Sequence, residues 1–222
     1  MLMRAVDLIT DEIPPLKHTD TAEKALNWME EFKVSHLPVL KNGNFVGVIS
    51  EADLLDKMAI EKTLDELYQH LPRPYSISTD HIYQVLERIA EFKLSLIPIL
   101  DKGENYVGCT SVHHLLWSIA NTGSIKESGG IIVLEMASND YSMTEIAQIV
   151  ESNDAKILSS YIMSTPDSMN LEVTLKINQL ELDRIIRTFQ RYDYVVKASF
   201  QKGNFEEDMQ FRYEALMNYL NF

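Results

Sequence analysis

EFKVSHLPVLKNGNFVGVIS, residues Glu31 to Ser50, is repeated sixty residues later as EFKLSLIPILDKGENYVGCTS, Glu91 to Ser111. With one gap the two stretches match at 11 of 20 aligned positions. An internal repeat of this kind sets the architecture before any other feature is read. It extends upstream: Ala22, Ala25, Leu26 and Met29 are echoed by Ile82, Val85, Leu86 and Ile89. Spacing of i, i+3, i+4, i+7 predicts one amphipathic helix per copy. Thr19 or Asp20 is the expected cap of the first helix, and Thr79 or Asp80 of the second.

HLPVL and LIPIL read as short buried strands with proline near the start, where a missing N–H does little harm. Lys41-Asn42-Gly43-Asn44 predicts a tight hairpin, because Asn-Gly supplies positive φ. The second hairpin, Asp101 to Asn105, is one residue longer. FVGVIS and YVGCTS are the returning strands, and a helix starts at Ser50 and at Ser111. Each copy thus reads helix, strand, hairpin, strand, helix. A unit of about 50 residues buries too little surface alone. Two copies are expected to pack with pseudo-twofold symmetry and to leave clefts between them, where small ligands sit.

Ser128-Gly129-Gly130 marks a boundary. Beyond it come a strand at Ile131–Met136, a helix through Met143, Ile146, Ala147 and Val150 introduced by Ser142, and a strand from Ala155 to Ser164. Leu171, Val173, Leu175 and Ile177 alternate with polar residues in a third strand. A helix through Leu182, Ile185, Ile186 and Phe189 and a strand at Tyr194–Gln201 complete a βαββαβ order, a ferredoxin-like plait. The expected fold class is therefore α+β. Residues 1–60 form the first repeat, 61–128 the second repeat and a linker, 129–201 the plait, and 202–222 a helical acidic-aromatic tail.

The repeated pair resembles a tandem cystathionine-β-synthase (CBS) domain pair, or Bateman module. The likeness rests on Leu37-Pro38-Val39-Leu40 and Ile97-Pro98-Ile99-Leu100, the turn glycines, and Gly47-Val48-Ile49-Ser50 and Gly108-Cys109-Thr110-Ser111, in order and twice. It spans residues 1–122. SNDYSMTEIAQIVESNDAKI (Ser138–Ile157) gives residues 129–201 a resemblance to ACT domains, which bind amino acids or pair with themselves. The usual Pro-Gly after the first strand is replaced by Asn139-Asp140-Tyr141-Ser142. Without the glycine's close approach, the likeness points to dimerisation or partner binding. The CBS–ACT arrangement resembles that of bacterial proteins related to the acetoin-utilisation regulator family.

Ser50-Glu51-Ala52-Asp53 carries two readings. As local structure it is a capping box, Ser50 and an acid three residues on exchanging bonds with amides. As chemistry, a helix start attracts phosphate and a carboxylate one turn in accepts a ribose diol. The CBS resemblance implies the second, with the serine at phosphate and the aspartate at ribose. In the second copy Ser111 keeps the cap while His114 stands in the acid's place, and a neutral imidazole offers one acceptor. The Asp53 cleft is expected to be the better nucleotide site. The resemblance also places the backbone around Pro38 against adenine. His36 either helps line that pocket or makes an ordinary surface bond; its counterpart is Leu96. Trp28 and Trp117 are expected in core or interface packing.

These features imply a non-catalytic regulatory sensor for an adenosyl ligand, AMP, ADP, ATP or S-adenosylmethionine, acting as a homodimer on an unknown protein target, with no required cofactor. The alternative is a structural dimerisation module with vestigial clefts. No nucleophile-base pair, metal set or phosphate-binding glycine loop stands out; His113 and His114, adjacent on a helix, point in different directions. The net charge of −13 argues against nonspecific nucleic-acid binding and docking on anionic lipid. Cys109 is the single cysteine, so no intrachain disulfide forms, and a buried, inert thiol is expected. With an N-terminus unlike a signal peptide and no stretch apolar enough to span a membrane, a cytoplasmic protein is expected.

Overall fold

The computed structural model describes residues 3–57, 61–164 and 169–201; the expected tail helix at 202–222 lies outside the described residues. The chain divides into two compact units, Met1–Ala120 and Asn121–Phe222.

In the first unit, a 3₁₀ turn (Ala5–Leu8) precedes β1 (Leu16–Lys17), α1 (Ala22–Phe32), β2 (His36–Lys41), β3 (Asn44–Ser50), α2 (Glu51–Lys57) and α3 (Leu64–Leu67). The second copy follows as β4 (Ser76–Ile77), α4 (Ile82–Phe92), β5 (Leu96–Leu100), β6 (Tyr106–Ser111) and α5 (Val112–Ala120). Each copy holds a three-stranded sheet, ordered β1-β2-β3 and β4-β5-β6. The opening strands β1 and β4 run parallel to the proline strands; at two residues each they are too short to leave a periodic signal. The hairpin turn has φ of 51° at Asn42 and 83° at Gly43, the paired positive values that Asn-Gly predicts. In the longer second turn the Asp101 carboxylate accepts from the backbone of Gly103 at 2.8 Å and of Asn105 at 2.9 Å.

The helix caps correct the sequence reading. Thr21, not Thr19 or Asp20, caps α1 by accepting from the Lys24 amide at 3.2 Å. His81, not Thr79 or Asp80, caps α4 through Nδ1 from the Tyr83 amide at 3.3 Å. Asp20 and Asp80 serve instead to stop the opening strands, accepting from the amides of Lys17 at 2.8 Å and Ile77 at 2.9 Å. A side chain so engaged is not free to cap.

The copies exchange flanking segments. The Ala5 amide donates to Asp80 O at 2.7 Å, the Ile82 amide to Met3 O at 2.9 Å, and Ala5 and Leu8 enter the core around Ile82, Val85 and Ile97. In the other direction, Leu64 joins the core around Ala22, Leu37 and Ile49. The Leu64 amide donates to Asp20 O and the Val48 amide to Pro72 O, both at 2.9 Å. A Cβ on Gly47 would lie 2.7 Å from Pro72 O and 2.5 Å from Leu71 Cβ, so the chain runs this close only past a glycine. Cys109 is buried as expected, its thiol pushed up to about 11 by burial.

The second unit opens with α6 (Gly123–Lys126), then β7 (Gly130–Ala137), α7 (Met143–Glu151), β8 (Ile157–Ser164), β9 (Asn170–Ile177), α8 (Asp183–Arg191) and β10 (Val195–Phe200). The sheet order β10-β7-β9-β8 is antiparallel throughout, a ferredoxin-like plait. Ser142 caps α7 at the Glu145 amide, 3.4 Å. Leu171, Val173, Leu175 and Ile177 turn into a core with Ile146, Ile185 and Phe189. The α+β class follows the sequence reading.

Candidate functional site

The end of β3 and the start of α2 place the chemistry-bearing residues of the first copy. Ser50 Oγ donates to Asp53 Oδ2 at 2.5 Å, the Ser50 amide reaches the same oxygen at 3.4 Å, and the Asp53 amide donates to Ser50 Oγ at 3.1 Å. This reciprocal set is the capping box anticipated from the sequence. The bonds use Oδ2 only, and Asp53 is exposed. An ionised carboxylate has about four acceptor sites, so the box leaves acceptor capacity facing solvent. The Tyr68 hydroxyl donates to Asp53 O at 2.6 Å, tying α2 to the segment after α3.

His36 lies directly across the sheet from Ser50. Its ring is partly buried and bonded into the junction between the copies. Nδ1 lies 3.2 Å from the Ser95 amide, 3.1 Å from Ser95 Oγ and 3.2 Å from Ser35 Oγ. A backbone N–H can only donate, so Nδ1 is an acceptor and the ring proton sits on Nε2. The Ser35 amide returns a bond to Ser95 Oγ at 2.9 Å. His36 thus joins the two copies where β2 meets β5. Burial holds its pKa below the ordinary 6.5, with the Asp53 charge partly opposing. Pro38, two residues on and so on the same sheet face, is buried opposite Val48.

The structure therefore brings Ser50, Asp53 and His36 together, with Pro38 behind them. In the second copy Ser111 lies across from Leu96. The His114 amide donates to Ser111 Oγ at 3.1 Å, and the His114 ring leans on Trp117 at 5.9 Å between centroids. Half of the capping box survives and no acid completes it. Of the two expectations for Trp117, core or interface packing, the core does not hold in this unit: the residue is 60% exposed. Trp28 packs against the first core and meets Phe32 edge-on at 6.1 Å. Sequence reasoning missed Ser35 and Ser95. Their only signal was that both copies read Lys-x-Ser just before the proline strand.

Among the described residues no group of three or more His, Cys, Asp or Glu could hold a metal ion, and no helix is long and apolar enough to cross a membrane. A CBS-domain family model matches residues 5–60. A homoserine O-acetyltransferase of Methanobrevibacter ruminantium is 27% identical over 116 residues, covering 50% of this chain and 24% of that protein. The chain spans between about a quarter and a third of the length of the curated relatives it matches. Among solved structures, a CBS domain pair/ACT domain protein of Thermotoga maritima is 23% identical, covering 53% of this chain and 96% of that one, with a TM-score of 0.46. CBSX2 in complex with AMP is 21% identical, covering 52% and 95%, with a TM-score of 0.45.

Proposed function

We propose that the N-terminal unit, whose first copy matches the CBS-domain family model over residues 5–60 and whose second copy repeats its sheet, is a tandem CBS pair, and that the protein is a non-catalytic regulatory sensor of an adenosyl ligand. The candidate ligands are AMP, ADP, ATP and S-adenosylmethionine. The observation that carries the reading is the clustering of Ser50, Asp53 and His36 at the edge where the two copies meet. Ser50 is the phosphate-side contact, Asp53 accepts the ribose diol through the capacity its cap leaves open, and the backbone at His36 and Pro38 faces the base. Because His36 bonds across to Ser95, a ligand that displaces it loosens one copy from the other. Ser111 and His114 form a weaker counterpart, lacking a diol acceptor. The change is passed to the plait or to a protein partner by a cytoplasmic homodimer. Coupling of this type is worth about 1–3 kcal/mol.

Calorimetric titration of the full chain with the four ligands tests this. Binding by at least one is expected, and Asp53→Ala should weaken it far more than His114→Ala. Equal losses would remove the asymmetry, and no binding by any ligand would remove the sensor. One observation favours a second reading: Oδ2 of Asp53 is already taken up by Ser50 in a purely local cap, as in a structural dimerisation module with vestigial clefts. That reading expects a constitutive oligomer whose melting temperature ignores all four ligands, whereas a bound ligand at 100-fold its Kd adds about 2.7 kcal/mol.

A further inference from the structure

We propose that the first CBS copy carries a second small-molecule site, a cleft beneath its hairpin that takes an organic phosphate, a phosphate monoester on an apolar or aromatic body. The cleft has a volume of about 360 Å³, within the range of small-molecule pockets. Val46 and Leu71, both partly buried, line it with apolar surface, and His18, Lys41, His70 and Arg73 bring basic nitrogens to it. Asp65 is the one carboxylate among the described residues that line it. In a chain of net charge −13 this is a local inversion of sign, and a phosphate is the group such a concentration of donors selects.

The walls are fixed by backbone bonds. The His18 amide donates to Leu40 O and the Asp65 amide to His18 O, both at 2.9 Å, and the far wall is the segment held against Gly47. The cations are also available. Lys41 Nζ pairs with Asp65 Oδ1 at 2.8 Å, but both side chains are about half exposed, at 48% and 51%, where ion pairs are weak. Arg73 lies over the Phe45 ring at 5.6 Å and reaches Glu104 only at 3.7 Å. An arriving phosphate draws Lys41 off Asp65 and takes Arg73 from above, while its organic body lies on Val46 and Leu71. Tyr68 lines the same cleft and its hydroxyl holds Asp53 O, so occupancy is felt at α2. The cleft itself does not depend on the Ser50–Asp53 reading.

The test is a ¹⁵N–¹H correlation titration of the full chain with phenyl phosphate, set against inorganic phosphate and phenol. Saturable shifts are expected in residues 39–46 and 64–73, with phenyl phosphate binding more tightly than either fragment. The exposed double variant Lys41→Gln, Arg73→Gln should bind about tenfold more weakly with its melting temperature unchanged. Asp65→Asn, which frees Lys41, should bind more tightly, and Asp53→Ala should leave binding intact. The proposal is overturned if no saturable shift appears there, if the double variant binds as the parent does, or if Asp65→Asn fails to tighten binding. Loss of binding in Asp53→Ala also overturns it, because the phosphate would then sit at the Ser50 helix start.

Discussion

The two repeated copies of the N-terminal unit share a backbone and differ in what that backbone carries. Register is the same in both: His36 opposes Ser50 as Leu96 opposes Ser111, and the ladder slips one residue after Val39 and again after Ile99. Gly47 and Gly108 have the same φ of 157°, and Lys33 and Lys93 end their helices at φ of 54° and 52°. The differences lie on side chains. Leu16 and Ile49 in the first core become Ser76 and Thr110 in the second, both fully buried and, among the described residues, without a hydrogen-bond partner for the side-chain hydroxyl. His36 becomes Leu96 and Asp53 becomes His114. Positions that set pairing geometry are kept alike, while positions facing core and cleft are free to diverge. The pair is symmetric as a scaffold and asymmetric as chemistry.

The largest expected effect tests whether the scaffold is as symmetric as the φ values suggest. A Cβ on Gly47 meets backbone, Pro72 O at 2.7 Å, whereas a Cβ on Gly108 meets the Ile9 side chain at 2.6 Å. Side chains rotate away and backbone does not. Gly47→Ala should cost about 3 kcal/mol and Gly108→Ala about 1 kcal/mol by urea denaturation. Equal losses would mean that the segment around Pro72 yields as readily as a side chain.

Next come the cores. A buried hydroxyl without a partner costs free energy that an apolar group of similar size does not. Thr110→Val should raise stability by about 1 kcal/mol, while Ile49→Thr, which writes the second core into the first, should lower it by about 2 kcal/mol. A destabilised Thr110→Val would show that its hydroxyl is doing something in the second copy that the hydrogen-bond geometry does not reveal.

The repeat made much of this legible beforehand. Helices α1 and α4, the proline strands, the Asn-Gly turn and the βαββαβ plait each span enough residues to leave a period or a turn signature. What escaped was short or distant. The two-residue strands β1 and β4 carry no period. Asp20 looked like a cap but is committed to Lys17, and His81 is not among the residue types that usually cap. The exchange of the segments around Leu8 and Leu64 depends on which copy each apolar residue reaches, which hydropathy alone does not encode. At the candidate site, Ser50 and Asp53 were legible as a spacing. The bond from His36 to Ser95 was not, since it joins residues 59 apart in sequence.

The caps offer a finer test of asymmetry. Ser50 sits in a complete box, and Ser111 only accepts from the His114 amide. Ser50→Ala should cost about 1 kcal/mol and Ser111→Ala somewhat less, read from denaturant midpoints. His114→Asp should rebuild the second box and raise stability by a few tenths of a kcal/mol. If it does not, the second helix start differs from the first in more than its missing acid.

The smallest effect concerns the junction itself. His36 Nδ1 must stay unprotonated to accept from the Ser95 amide, and burial already holds the folded pKa below the ordinary 6.5. The folded state therefore binds fewer protons at His36 than the unfolded state as pH falls through that value. The stability His36 contributes is complete above about pH 6.5 and is lost as pH falls toward its lowered pKa. Asp53 opposes the shift, so removing its charge with Asp53→Asn should widen the pH window rather than narrow it. His36→Leu, which gives the first copy the second's residue, should abolish this part of the pH dependence at a lower plateau, because the Ser95 amide then loses an acceptor. Denaturation midpoints at pH 5 and pH 7.5 for parent and variant measure it. If the two proteins show the same difference between those pH values, the link between the copies does not titrate, and the His36–Ser95 contact serves packing alone.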